Sequence, residues 1–372
     1  MEANKLINKI KDLGIKLFTG VPDSLLKNLC YEIESDKEIN SIIAANEGAA
    51  VAIAAGEYLA TGTPACVYLQ NSGLGNTVNP IISLMSEAVY NIPMLMIIGW
   101  RGEPGIKDEP QHNFQGKLTI QMLELMNIHV FEISKNTTEE DLENYFLNIK
   151  ELLKSGKRVA FLVRKEALVS KNIFTRKTQE GFKREDAIKI IVGNIDKRNL
   201  IVSTTGKISR ELYELTVNIS TKPFLTVGSM GHASMIALGI AINEKNNKIY
   251  CLDGDGATLM HMGSLATIGE INPPNFYHIL LNNSAHESVG NMPTTTSKAQ
   301  FTKISEAVGY KRSFLVKNEI ELIKAIKFTQ NNSGPIYIEV KVSNTSRNDL
   351  LRPKETPEEN KLEFMKFLRG GK

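Results

Sequence analysis

The chain has 372 residues, 42% of them hydrophobic and 23% charged, and a formal net charge of +3. That length suits two domains of ordinary size, and so small a charge offers no electrostatic footprint for nucleic acid or for an anionic membrane. Cys30, Cys66 and Cys251 are far apart and odd in number, so they supply neither a disulfide framework nor a CxxC metal site, and a reducing cytoplasm fits best.

The N-terminal MEANKLINKIKDLGI has no long apolar run, so no signal peptide is expected. The most apolar segments, such as IPMLMIIGW, are far shorter than the roughly 20 residues that span a bilayer. NKLINKIKDLGI places Leu6, Ile7, Ile10 and Leu13 at helical spacing. KLFTGVPDS reads as a strand breaking into a proline turn. SIIAANEG, PACVYLQNSG, MLMIIGWRG, IHVFEI and VAFLVRK read as further short apolar strands, most of them separated by helical stretches. That rhythm implies βαβ units and a parallel sheet over residues 1–166. Residues 167–182, ALVSKNIFTRKTQEGF, are polar and aperiodic and read as a linker. The rhythm resumes over 183–372. KREDAIKIIVGNI and HASMIALGIAINEK read as helices, and NLIVSTTG, KPFLTVGSMG, KIYCLDGDG, NFYHILLNN and PIYIEVKVS as strands. The charged tail from about Asn344 is left as either docked or mobile.

The expectation is therefore an α/β protein of two successive domains, each a mostly parallel sheet flanked by helices. Ligands bind beyond the C-terminal ends of strands in such sheets. The unusual segments GVPDS, AANEG, QNSGLGN, GWRGEPG, STTGK, VGSMG, DGDG and LNNSAHES all fall there.

Three familiar motifs fail on inspection. GLGNTV, from Gly73 to Val78, lacks the third glycine of a dinucleotide fingerprint, and the strand that follows ends without the acidic residue. STTGKIS lacks the leading glycine of a phosphate loop and has Ile208 after Lys207. CLDGDGATL does not match the ligand positions of a calcium loop. DGDG reads better as a sharp turn that lets a large anion approach the backbone, with Asp255 placed to bridge Mg2+ to phosphate oxygens. After Gly256 come 25 residues, a helix and then a strand, before Asn282 and Asn283. One crossover sets the two strand ends side by side, so Asp255 and Asn283 both offer oxygen to one metal.

GDG, about 25 residues and then NN resembles the cofactor motif of the thiamine diphosphate enzymes. The resemblance implies that Asp255, the Asn283 side chain and the Ala285 carbonyl hold Mg2+ against the diphosphate, with Thr205, Gly206, Gly256 and Ala257 as further cofactor contacts. VGSMG resembles the segment that grips the aminopyrimidine, with the Gly228 carbonyl on the amino group and Met230 propping the cofactor's bend. IIAANEGAAVAIAAGEYLATG resembles the segment that carries the catalytic glutamate, here Glu47. Short aliphatic neighbours desolvate a carboxyl and raise its pKa, which suits it to share a proton with the pyrimidine.

Larger members of that family carry a middle domain, for which this chain has no room. Over nearly its whole length it resembles the two-domain phosphonopyruvate decarboxylases, through TGVPDSLLK, QNSGLGNTVNP, GWRGEPGIKDEPQH, STTGKISREL, VGSMGHAS and NNSAHESVGNMPT. Sulfopyruvate decarboxylase is the near relative. One departure is GNMPT, where the pattern is nearer GGQPT, in a loop that the resemblance turns toward the substrate. The implied reaction is non-oxidative decarboxylation of phosphonopyruvate to phosphonoacetaldehyde, in phosphonate biosynthesis. His112 and His286 are candidate proton carriers, since imidazole works both ways near neutral pH. Arg101 and Lys107 are candidate partners for the anionic phosphonate. Asp23 and Ser24 cap the helix of SLLKNLC, whose free N–H groups and Ser24 hydroxyl offer a further anion site. The resemblance also implies self-association, with active sites at subunit interfaces and with Glu47 and Asp255 contributed by different chains. The alternative readings are a non-catalytic thiamine diphosphate-binding subunit and an NAD-linked dehydrogenase. The intact Glu47, Asp255 and Asn283 speak against the first, and the incomplete fingerprint against the second.

Overall fold

A computed structural model describes residues 1–172 and 181–370. The chain divides into two compact units; of the described residues, 1–172 and Ser288–Met292 belong to the first, and 181–287 and 293–370 to the second. Residues 173–180 of the expected linker lie outside the described residues. Its first two residues, Ala167 and Leu168, are buried in the core of the first unit.

The first unit is built on a six-stranded, wholly parallel sheet. Its strands are Leu17–Gly20 (β1), Asn40–Ile43 (β2), Cys66–Gln70 (β3), Met94–Gly99 (β4), Ile128–Ile133 (β5) and Arg158–Val163 (β6), in the order β2-β1-β3-β4-β6-β5. Every residue of β4 and β6 is buried, as expected of inner strands covered by helices on both faces. The edge strand β2 is mostly exposed, although its Ile-Ile pair reads as core in the sequence. Two apolar clusters flank the sheet, one of them containing Leu6, Ile7 and Ile10 of the helix Ala3–Asp12 and the other Ala50, Val51 and Ala54 of the helix Glu47–Thr61. Burying each such Leu or Ile side chain contributes roughly 2 kcal/mol.

The second unit repeats the plan. Leu200–Ser203 (β7), Phe224–Leu225 (β8), Ile249–Gly254 (β9) and Phe276–Asn282 (β10) join the strands Arg312–Val316 and Ile336–Lys341 in a second parallel sheet. Its order is Arg312–Val316, Ile336–Lys341, β10, β9, β7, β8. KPFLTVGSMG yields only the two residues of β8, because Gly228, Ser229 and Gly231 all have positive φ and turn the chain out of the sheet.

The charged tail is docked. Arg347 pairs with Glu185, Glu214 and Asp349. The helix Pro357–Leu368 starts in a Thr356–Glu359 capping box and sets Phe364 against Phe224. Asn360 fixes it to the main chain of Leu225 and Pro223.

Strand order locates the crevices. In the first sheet the winding reverses between β1 and β3, and in the second between β7 and β9. A ligand of an open parallel sheet sits at that reversal, beyond the strand ends.

Candidate functional site

In the first unit, Gln70 at the end of β3 reaches across the reversal and donates to Asp23 beyond β1 at 2.5 Å. Asp23 is buried and also accepts from the main-chain N–H of Leu25 and Leu26 at 3.0 and 3.1 Å. The expected cap is therefore corrected: the helix runs over Lys27–Ser35 with Leu26 at its N-cap and no side-chain cap, and Asp23 instead holds the turn that precedes it. Burial raises the Asp23 pKa, against the opposing pull of these hydrogen bonds and of Arg101.

Arg101, just beyond β4, meets Asp108 through Nε at 2.7 Å and Nη2 at 2.5 Å, and donates from Nη1 to Ser24 Oγ at 3.2 Å. It is thus held in place by Asp108 rather than left as a loose loop charge. Lys107 is exposed, with no salt bridge or hydrogen bond among the described residues. His112 lies in the first turn of the helix Pro110–Leu125. Burial, and then the charge of Arg101, lower its pKa to about 4, and its Nδ1 is buried without a partner.

Glu47 opens its helix directly after Asn46, whose side chain caps Ala49 N–H at 2.9 Å. The Glu47 carboxyl is buried, and desolvation raises its pKa. Asn76 donates to Oε2 at 2.7 Å. Oε1 lies against Gly73, where a Cβ would stand 2.3 Å away. Gly73 of GLGNTV is therefore explained without a dinucleotide, since only glycine admits the glutamate so closely, whereas Gly75 has open space beside it.

In the second unit, Asp255 begins the helix Asp255–Met260 at the end of β9, and β9 pairs in parallel with β10, Leu281 beside Gly254. The crossover geometry read from the spacing is the observed one. Asp255 is 3% exposed. Its Oδ2 accepts from Thr294 Oγ1 at 2.5 Å and Thr296 Oγ1 at 3.1 Å. Desolvation raises its pKa against these bonds and one from the Asn283 N–H. No Lys, Arg or His among the described residues pairs with it. A buried carboxylate with no cation beside it fits a metal ion well.

Asn282 and Asn283 answer to different partners. Asn282 donates to Glu339 at 2.8 Å, tying β10 to the next strand. Asn283 Oδ1 accepts from the Ala285 N–H at 3.1 Å, which shapes the turn that carries Ala285 and His286. Gly256 brings His286 and Met230 together: a Cβ there would lie 3.2 Å from His286 Cε1, 3.3 Å from Met230 Cε and 3.4 Å from Thr294 Cγ2. Burial lowers the His286 pKa to about 4, so its imidazole is neutral near pH 7. Ala257 is buried in the same helix, and its carbonyl lies close to Gly231. Gly228, at φ +65°, turns the segment that leads to Met230. Across the reversal, Thr205 and Gly206 precede the helix Lys207–Thr216, whose Ile208 lies 3.5 Å from where a Gly254 Cβ would be. Gly206 has φ +92° and open space beside it, as a backbone turn that receives an anion requires.

Sequence reasoning missed Asn76, Asp108, Thr294 and Thr296. All but Thr296, which lies two residues past NNSAHESVGNMPT, sit in a quoted segment, but which carboxylate or guanidinium each meets depends on sheet order. Asn291, in the GNMPT departure, has φ +62°. That explains a glycine in the resembled pattern, and Asn is among the few residues that tolerate the conformation.

Residues 3–123 match the family described as thiamine pyrophosphate enzyme, N-terminal TPP binding domain, and residues 206–340 the one described as its C-terminal TPP binding domain. Over 98% of its length the chain is 32% identical to a phosphonopyruvate decarboxylase of Streptomyces viridochromogenes, 94% of which is covered. A phosphonopyruvate decarboxylase of Streptomyces hygroscopicus is 30% identical over 99% of the chain and 94% of its own length. The sulfopyruvate decarboxylase subunit beta of Methanocaldococcus jannaschii is 47% identical over 31% of the chain and 60% of that subunit.

Proposed function

The chain belongs to the thiamine pyrophosphate enzymes and, among them, to the decarboxylases, and from that premise we propose that it removes CO2 from 3-phosphonopyruvate with the help of Mg2+, giving phosphonoacetaldehyde for phosphonate biosynthesis. The observation that carries the substrate is the near-full-length likeness to two phosphonopyruvate decarboxylases.

When bound, thiamine diphosphate supplies an electron sink beside the keto carbon, so that CO2 can leave. Asp255 would hold Mg2+ together with the Asn283 side chain and the Ala285 carbonyl, and Thr294 and Thr296 orient the Asp255 carboxylate for it. Thr205, Gly206, Gly256 and Ala257 would line the diphosphate, and Gly228 and Met230 the pyrimidine. Glu47 is the candidate proton holder: desolvation raises its pKa, which favours the protonated form. His112 and His286, lowered to about 4, are neutral imidazoles near pH 7 and weak bases there, so each would take up a proton only in passing. Ser24 accepts from Arg101, and Asp23 and Ser24 would line the substrate side of the site. Arg101, fixed by Asp108 and Ser24, would present its remaining N–H groups to the phosphonate, and Lys107 would add charge at the rim. Self-association belongs to the proposal, with Glu47 and Asp255 of different chains completing one site.

A second reading is sulfopyruvate as substrate, favoured by the higher identity over one third of the chain. Purified protein with Mg2+ and thiamine diphosphate should release CO2 from phosphonopyruvate in strong preference to sulfopyruvate and pyruvate, and lose the activity when the cofactor is removed. Preference for sulfopyruvate would keep the mechanism and reassign the substrate. Release from none of the three would refute decarboxylation of these acids.

A further inference from the structure

We infer that Glu287 is a positioning residue, whose carboxylate locks the loop carrying Asn283, Ala285 and His286 to the Thr205–Lys207 turn. What is positioned rests on the proposed cofactor site; the lock itself rests on contacts within the second unit.

Glu287 Oε2 accepts from Arg184 Nη1 at 2.7 Å, and Oε1 accepts from Lys207 Nζ at 2.8 Å and from Ser346 Oγ. These donors come from three separate elements. Arg184 opens the helix Arg184–Asn194, Lys207 opens its helix directly after Gly206, and Ser346 lies beyond the last strand of the sheet. Lys207 Nζ also donates to Ser346 Oγ at 2.6 Å. Arg184 is gripped from the other side by Glu211, at 2.7 and 2.8 Å. The side chains of Arg184, Glu211 and Glu287 are 5%, 1% and 8% exposed. Two cations and two carboxylates thus balance inside the unit. A buried ionic cluster of this kind adds little net stability over apolar packing, yet removing one member leaves a desolvated charge without its partner. Its value lies in fixing geometry.

The geometry concerned is that of the loop. Asn283 Oδ1 pins its start through the Ala285 N–H, Ser284 holds a left-handed φ of +54° between them, and His286 is followed at once by Glu287. The five residues are held at both ends. Through Lys207, the far end is joined to the turn on the other side of the β7–β9 reversal. Neither the loop nor the turn moves alone while the lock holds.

Amide hydrogen exchange of the protein without thiamine diphosphate, paired with a thiamine diphosphate–Mg2+ titration, tests this in Glu287→Gln, Lys207→Met and the double variant. The expected result is exchange about tenfold faster over residues 283–287 with β9 and β10 unchanged, and binding about tenfold weaker. The double variant should be no worse than the worse single one, because both substitutions open one lock. Wild-type loop protection in the single variants, losses that add, or equally faster exchange in every strand would overturn the inference. Should Glu287→Gln fail to fold, Lys207→Met carries the same test, since it leaves Arg184 paired with both carboxylates. A wrong cofactor reading would abolish only the binding shift and leave the exchange result standing, so the two failures are distinguishable.

Discussion

Glu47 and Asp255 occupy the same kind of place in the two units, the first residue of a helix beyond a strand, and yet they are prepared for different tasks. Both are buried, both have pKa values raised by desolvation, and among the described residues neither pairs with a cationic side chain. Glu47 receives one side-chain donor, Asn76, on Oε2, while Oε1 rests against Gly73. Asp255 receives two hydroxyls on a single oxygen and a backbone N–H. The first arrangement leaves the carboxyl able to carry a proton, whereas the hydroxyls and N–H of the second favour the charged form. The helix N-terminus is common to both, so it is the immediate donor set that would separate the proposed proton holder from the proposed cation ligand.

The sharpest way to break that contrast is Glu47→Gln. The amide keeps the shape and an oxygen for Asn76 but holds no transferable proton. Turnover should fall by about 10²–10⁴-fold, the usual size of a lost acid–base group. Cofactor affinity, read by titration, should stay within about threefold of wild type because the site's charge partners are untouched. Full turnover in this variant would remove Glu47 from its role.

Asp255→Asn should do the reverse, weakening Mg2+-dependent cofactor binding by about 10–100-fold. The two carboxyls also differ in how pH and metal act together. Each has a folded pKa raised above its unfolded value, so its stabilising share is complete below the ordinary carboxylate range near pH 4 and is lost as pH rises through the raised folded value. His112 and His286, lowered to about 4, act in the opposite sense, losing stability as pH falls from about 6.5 toward 4. Difference curves of melting temperature against pH, wild type minus variant, isolate each carboxyl. Mg2+ with thiamine diphosphate should restore the loss at Asp255 and leave that at Glu47 in place. Equal restoration at both would erase the distinction.

The sequence makes this contrast only half legible. Alternation of apolar strands and helices indicates two parallel sheets, and the 25 residues between Gly256 and Asn282 indicate neighbouring strands, because a right-handed crossover leaves few other solutions. The surroundings of each carboxyl are another matter. Thr294 and Thr296 are about 40 residues from Asp255, and Asn76 is 29 residues from Glu47. Their alignment follows from loops returning over a strand end, for which local pattern carries no signal. Arg101 shows the same limit: its partner Asp108 lies seven residues away in a proline- and glycine-containing loop, where neither helix nor strand spacing tells which side chains meet.

The smallest effects concern the two cations of that region. Arg101 is anchored through Nε and Nη2 on Asp108 and through Nη1 on Ser24, whereas Lys107 stands exposed. Replacing Arg101 by Lys removes the planar fork and should raise KM for the anionic substrate about tenfold. Replacing Lys107 by Ala should raise it by less than about threefold, since a lone exposed charge acts only through screened attraction. Salt separates the two causes. The Lys107 effect should vanish at 1 M ionic strength, where the Debye length is about 3 Å, and the Arg101 effect, made by direct contact in a half-buried setting, should persist. An Arg101→Lys variant with unchanged KM would make the Arg101–Asp108 pair a structural brace of the first unit and place the recognition of the anion elsewhere.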